Sequence, residues 1–253
     1  MRYLSKWTPG LAVALAFLLG GFEVESALAV EGTIWLIGDS TVASYPAERD
    51  PVAGWGQLLG EYCKEGVVIQ NKAVSGTTSR SFVSRKFWEK VLPQIKEGDY
   101  VFIQFGHNDH YKERGEHLVS ADDFKTNLAG YVAEIRGKGA TPVLVTPMCR
   151  RIFDANNKIK KQFANYPEKV IELGREEKVA VIDLEEISFQ ELGKLTVEET
   201  KDVFLYLPAG KYPAFPDGKK DGVHFQTHGA RLLAGWVVED AKKQKLPIAQ
   251  LFQ

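Results

Sequence analysis

Cysteine is scarce in this chain. Two in 253 residues, Cys63 and Cys149, are too few for a disulfide framework, and neither has a partner at the Cys-x-x-Cys spacing of zinc and redox sites. Cys63 ends a helical pattern and Cys149 follows a strand pattern, which favours two separate thiols. An oxidising compartment leaves a bridge between them open. Five histidines form no metal-ligand cluster, so no metal and no cofactor are expected. Charge of one sign is also missing. The formal net charge is −1, which gives no basic footprint for nucleic acid and no acidic excess for disorder. No repeat, no low-complexity segment and no apolar run of roughly 20 residues occur, so no segment is long enough to span a bilayer. The nine-residue apolar run 11–19 follows Arg2 and Lys6 and precedes Ala27-Leu28-Ala29. That order predicts a signal peptide over residues 1–29, a secreted or periplasmic protein, and no membrane attachment after cleavage.

What remains, 30–253, reads as one domain. Short apolar, β-branched runs lie at 33–37, 67–70, 100–104, 142–146 and 179–182. Several are apolar at successive positions, as suits strands buried on both faces of a parallel sheet. Helical patterns fall between them at 54–61, 87–95, 122–136 and 166–177, and a last one runs from Thr227 to Ala241. The alternation predicts an α/β fold: a three-layer α/β/α sandwich around a five-stranded parallel sheet. The stretch 205–222 carries three prolines and three glycines and predicts a long ordered loop.

Ligands of such sheets bind beyond the carboxyl ends of the strands. The unusual residues sit in those segments. Gly38-Asp39-Ser40 follows the first strand, where a serine near a helix start projects into the cleft, although the tripeptide taken alone favours Ser40 or Thr41 as a helix cap. Asp221-Gly222-Val223-His224 precedes the last helix. A hydroxyl nucleophile needs a base, and a histidine oriented by a carboxylate supplies one near neutral pH. Gly76 follows the second strand and Asn108 the third. A glycine N–H, an asparagine amide and the Ser40 N–H make a three-donor oxyanion hole, with a turn glycine and an Asx-turn as the plain alternatives.

In that order, Gly-Asp-Ser, Gly, Gly-x-Asn and Asp-x-x-His, the pattern resembles the SGNH hydrolases, also called GDSL-like esterases. Within them the likeness is to rhamnogalacturonan acetylesterases. It rests on 38–43, 75–82, 102–109 and 221–225, with weaker support from Thr146-Pro147, Arg150-Arg151 and the Tyr212-Pro213…Pro216 loop. The resemblance implies a flavodoxin-like fold, Ser40 as nucleophile, His224 as base oriented by Asp221, and Gly76, Asn108 and the Ser40 amide as oxyanion donors. It also implies an acetylated polysaccharide as substrate and a mechanism without a metal. No Gly-x-Ser-x-Gly surrounds Ser40, so the α/β-hydrolase pattern does not apply.

Arg80, Arg150 and Arg151 fall on predicted cleft loops, and guanidinium groups suit carboxylates of a galacturonate polymer. Lys158, Lys160 and Lys161 read equally as a solvated basic loop. Tyr45, Tyr111 and Tyr212 are candidates for stacking on sugar rings, whereas Trp55 lies on a helical stripe and is expected in the core. Two other function classes stay open: a metal-dependent phosphoesterase, because Gly106-His107-Asn108-Asp109 loosely matches the Gly-Asn-His-Asp of that class with its middle reversed, and a noncatalytic carbohydrate-binding protein.

Overall fold

The computed structural model describes residues 31–111 and 118–253; the predicted signal segment 1–29 lies outside them. The chain runs β1 (Gly32–Gly38), β2 (Val52–Ala53), α1 (Trp55–Leu58), β3 (Val67–Asn71), α2 (Ser81–Ser84), α3 (Phe87–Val91), β4 (Tyr100–Gln104), α4 (Ala121–Gly137), β5 (Thr141–Val145), α5 (Tyr166–Glu177), β6 (Ala180–Ile182), α6 (Leu184–Leu192), α7 (Thr200–Val203), β7 (Phe204–Leu207), β8 (Lys219–Gln226) and α8 (Thr227–Lys243). Strands β1, β3, β4, β5 and β6 form one parallel sheet in the order β3-β1-β4-β5-β6. All five predicted strands are there, each within two residues of its expected ends.

The unbroken apolar strands follow from the layers. Alternate residues of one strand enter different cores, so both faces of the pleat need apolar side chains. Ile34, Leu36, Phe102, Val143 and Val145 pack with Trp55 and Leu58 of α1, Leu184 of α6 and Leu233 and Val237 of α8. Trp35, Ile37, Val101, Ile103 and Leu144 pack with Trp88 of α3, Phe124, Leu128 and Tyr131 of α4, and Val170 of α5. Each large side chain buried in this way contributes about 1.5–3 kcal/mol. Helix ends follow local chemistry: the Ser120 hydroxyl accepts the Asp123 N–H at the start of α4, and Asp183 accepts the Glu186 N–H at the start of α6. α6 was not foreseen. Its nine residues carry three glutamates, and tertiary burial of Leu184 and Leu192 decides it.

The larger correction concerns 205–222. Its two ends are strands. β7 and β8 pair antiparallel, and β2 joins β8 to make a second, three-stranded sheet in the order β2-β8-β7. The prolines and glycines occupy only the connection, where Tyr212 bridges Phe215 and Gly210 donates to the Pro216 carbonyl. Tyr45 and Tyr212 pack on Val52, Leu205 and Leu207 under this sheet.

Cys63 and Cys149 are unpaired. Burial pushes the Cys63 thiol up to about 11 and the Cys149 thiol to about 12, so neither is a thiolate near neutral pH. No helix among the described residues is long and apolar enough to cross a membrane.

Candidate active site

Ser40 stands at the carboxyl end of β1, the second strand of the sheet, in a turn rather than at a helix start. The helix expected nearby begins only at Trp55, whose N–H donates to the Thr41 carbonyl (2.9 Å). The Asp39 carbonyl accepts the N–H groups of Val42 (3.2 Å) and Ala43 (3.1 Å), and the chain then continues to β2. The capping side chain belongs to Asp39. Its Oδ1 accepts the Thr41 N–H (2.9 Å) and hydroxyl (2.8 Å), which leaves the Ser40 hydroxyl out of the turn's own bonding. Gly38 is required by a close approach. A Cβ there would lie 2.4 Å from the Gln104 carbonyl of β4 and 2.9 Å from Val42 Cγ2.

Beneath the turn runs a buried polar chain that composition and spacing did not single out. Trp55 Nε1 donates to Gln104 Oε1 (2.7 Å), Gln104 Nε2 donates to Thr41 Oγ1 (2.7 Å), and Thr41 Oγ1 donates to Asp39. Gln104, Thr41 and Asp39 are fully buried. The one signal in the sequence was a glutamine ending an otherwise apolar strand. Burial raises the Asp39 carboxyl, opposed by its two bonds from Thr41. Asp39 Oδ2 also lies 3.7 Å from Nδ1 of His107, whose imidazole burial holds well below its ordinary value. That distance is a contact rather than a hydrogen bond.

The histidine arrives from the second sheet. In the β7–β8 ladder Phe204 pairs with Phe225 but Leu205 pairs with Asp221, so Gly222, Val223 and His224 bulge out of register. Bulges re-aim side chains, and this one turns the Asp221–His224 segment toward Ser40. His224 Nε2 is 2.9 Å from Ser40 Oγ and its Nδ1 is 2.8 Å from Asp221 Oδ2. Asp221 Oδ1 accepts the N–H groups of Val223 (2.8 Å) and His224 (3.1 Å). Burial pushes the Asp221 carboxyl up, but the His224 bond and charge and these two N–H groups outweigh it and hold it well below the usual range. Asp221 is therefore an anion wherever His224 needs a partner. The Gly222 carbonyl accepts the Arg151 N–H (2.8 Å), which clips the bulge to the loop after β5.

Gly76 and Asn108 approach from β3 and β4. Gly76 has φ +77°, and a Cβ there would meet nothing within 4 Å, so backbone conformation rather than crowding calls for glycine. One amide hydrogen of Asn108 goes to the Thr77 carbonyl (2.9 Å), next to Gly76, and an amide has two. Asp109 locks these loops together. Its Oδ1 accepts the Ser79 N–H (2.8 Å) and hydroxyl (2.6 Å), and its Oδ2 accepts the Gly106 N–H (3.1 Å). Burial raises Asp109 to about 6 against those bonds.

The three arginines separate. Arg80 is half-exposed, pairs with Asp123 (3.1 Å) and lines a pocket of about 350 Å³ with Trp88 and Glu134. Arg151 donates to the Val197 carbonyl (2.7 Å) and the Thr200 hydroxyl (3.0 Å), and lies over the Tyr206 ring. It holds the scaffold. Arg150 donates to the His107 carbonyl (2.7 Å), lies over the rings of Tyr111 and Phe163, and lines another pocket. Tyr45 is committed to the Ser40 carbonyl through its hydroxyl (2.9 Å), and Trp55 is in the core as expected. Among the described residues no group of three or more His, Cys, Asp or Glu is arranged to hold a metal ion.

A serine hydroxyl, an imidazole and a partly buried carboxylate in hydrogen-bonded series, with backbone and amide donors alongside, can carry out acyl transfer. The comparisons point to the same chemistry. The family model of the GDSL-like Lipase/Acylhydrolase family matches residues 36–232. The rhamnogalacturonan acetylesterase RhgT of Bacillus subtilis (strain 168) is 38% identical over 218 residues, which are 85% of this chain and 91% of that protein. A probable rhamnogalacturonan acetylesterase of the same organism, YesY, is 33% identical over 86% of this chain and 95% of its own length. Among solved structures, the YxiM protein of Bacillus subtilis superposes with a TM-score of 0.73 at 29% identity over 87% of this chain, which spans 58% of that one. An acetylxylan esterase of Geobacillus stearothermophilus superposes with a TM-score of 0.60 at 19% identity, covering 84% and 94%, a likeness of fold.

Proposed function

The chain belongs to the GDSL-like lipase/acylhydrolase family, and from that premise we propose that it is a serine carbohydrate esterase acting outside the cytoplasm. It removes O-acetyl groups from a plant cell-wall polysaccharide, rhamnogalacturonan first, through an acetyl-enzyme on Ser40. The observation that carries the proposal is the unbroken series Ser40 Oγ, His224, Asp221 at 2.9 and 2.8 Å. The relatives named as rhamnogalacturonan acetylesterases support the substrate.

Ser40 Oγ attacks the acetyl carbonyl carbon as His224 Nε2 takes its proton. Asp221 holds Nδ1–H, fixes the tautomer and stabilises the imidazolium. The carbonyl electrons move onto oxygen, where the N–H groups of Ser40 and Gly76 and the Asn108 amide receive the charge. Collapse expels the sugar oxygen, which takes the proton from His224. Water then attacks the acetyl-serine, gives its proton to His224, and leaves acetate; the proton returns to Ser40.

The test is acetate release from acetylated pectin, acetylated xylan and p-nitrophenyl acetate in parallel, with Ser40→Ala as the control. Release from all three by the wild type, highest on pectin and absent in the variant, is the expected result. Turnover in Ser40→Ala overturns the mechanism, and a strong preference for xylan overturns the polymer.

A further inference from the structure

The segment between the Ser40 turn and β2 carries a side chain that the mechanism does not use. Tyr45 is half-buried there, its ring packed on Val52 of β2 and on Leu205 and Leu207 of β7. Its main chain is tied as well. The Tyr45 N–H donates to Gln57 Oε1 of α1 (2.9 Å). Just before it, Asn71 at the end of β3 donates to the Val42 carbonyl (2.8 Å) and the Ser44 hydroxyl (3.1 Å). With ring and backbone both held, the position of the phenol oxygen is set by the fold.

That oxygen joins two parts of the oxyanion hole. It donates to the Ser40 carbonyl (2.9 Å) and accepts the Ser75 hydroxyl (3.2 Å). Ser40 supplies the nucleophile and one N–H donor, and Ser75 immediately precedes Gly76, whose N–H is another donor. The flanks of the Gly76 turn are also held to β1, because the Gly38 carbonyl accepts the Val74 N–H (2.9 Å) and the Thr77 hydroxyl (3.2 Å). Those bonds fix the turn against the strand, whereas the Tyr45 bridge fixes it against the peptide of the nucleophile itself. Such spacing matters because oxyanion donors must converge on one point, and a shift of about 1 Å costs roughly 10²-fold in rate. Burial pushes the Tyr45 hydroxyl above the ordinary tyrosine range, so it keeps the proton it donates wherever His224 works as a base.

We propose that Tyr45 is a positioning residue of the esterase: its hydroxyl couples the Ser40 peptide to the Gly76 turn and so sets the Ser40 and Gly76 N–H groups at one spacing for the carbonyl oxygen. The proposal rests on the esterase reading. It gives Tyr45 no contact with substrate and takes its ring as a support rather than a stacking surface for sugar. The coupling acts in acylation and deacylation alike, because both tetrahedral intermediates place their charge in the same hole.

The test uses Tyr45→Phe, which keeps the packed ring and removes the hydroxyl, assayed on p-nitrophenyl acetate and on acetylated pectin. p-Nitrophenyl acetate has no sugar to contact, so a loss there reports the acyl site. Both kcat and kcat/KM should fall by about ten- to a hundredfold on both substrates, with KM within about twofold of the wild type. Tm should fall by about 2–4 °C, the effect of one lost hydrogen bond. Ser75→Ala cuts the outer link of the bridge from an exposed side chain and should lower kcat about threefold or more, adding little to Tyr45→Phe in the double variant. Unchanged kcat on p-nitrophenyl acetate in either variant overturns the proposal, and if Tyr45→Phe does not fold, Ser75→Ala still decides it. A defect confined to KM on pectin also overturns it and makes Tyr45 a sugar contact. Fully additive losses overturn it as well, because the two hydroxyls then act separately. The esterase reading fails by a different result, no hydrolysis of p-nitrophenyl acetate by the wild type.

Discussion

The two sheets of this protein are stabilised differently and contribute differently to the site. The Ser40 turn ends a strand buried on both faces and rests on the Trp55–Gln104–Thr41–Asp39 chain, so its position is tied to the core. The Asp221–His224 segment sits on a small antiparallel sheet whose ladder breaks where the chemistry lies. Its side chains are partly exposed, and it is held by local bonds from Asp221 to the Val223 and His224 N–H groups and by the clip from Arg151. Damage on the parallel side should therefore be read in stability as well as rate, and damage on the bulged side in rate with little change in stability.

The largest effect tests the bulged side. Asp221→Asn keeps the shape but loses the anion that fixes the His224 tautomer, and kcat should fall by about three to four orders of magnitude with Tm nearly unchanged. A comparable loss of Tm would erase the contrast. Next in size, and already on the parallel side, is Asn108→Ala, which removes an oxyanion donor on the loop after β4 and should lower kcat about 10²–10³-fold with a smaller effect on KM. A defect in KM alone would make Asn108 a binding residue.

On the parallel side, Gln104→Leu leaves the Trp55 N–H and the Thr41 hydroxyl buried without their partner. The cost should be about 2–3 kcal/mol, seen as a Tm lower by about 5–10 °C. An unchanged Tm would show that the buried chain does not support the turn. The smallest effect is one of slope. Burial moves Asp109 from its ordinary 3.8 to about 6, so between those pH values the unfolded chain has released a proton that the native protein keeps. Stability then falls as pH rises through that window, by at most about 1.4 kcal/mol per pH unit. Denaturant melts of Asp109→Asn should show a flatter profile there, and identical profiles would mean that Asp109 is already ionised.

The parallel sheet was legible because a strand buried on both faces must be apolar at nearly every position, and that run survives in the chain as written. The motif segments were legible because they fall at strand ends. The second sheet was not. Its strands β7 and β8 flank a connection rich in proline and glycine, β8 carries Lys219, Lys220 and Asp221, and a bulge abolishes the period of two. The part played by Gln104 was hidden for a related reason. A single polar residue at the end of a strand shows its partners only once Trp55 and Thr41 have been brought beside it.

Local order along the chain thus determined the strands, the α/β layering and the four segments in which Ser40, Gly76, Asn108 and the Asp221–His224 pair lie. These rest on periodicity and on short-range turn chemistry, which a sequence carries in full. Only the tertiary structure decided that His224 meets Ser40 across 184 residues. It also decided that Asp39 rather than Ser40 caps the turn, and that of three arginines Arg150 holds the His107 carbonyl while Arg80 pairs with Asp123 and Arg151 braces the scaffold. A side chain's role depends on which neighbours occupy its hydrogen bonds, and those neighbours come from distant parts of the chain.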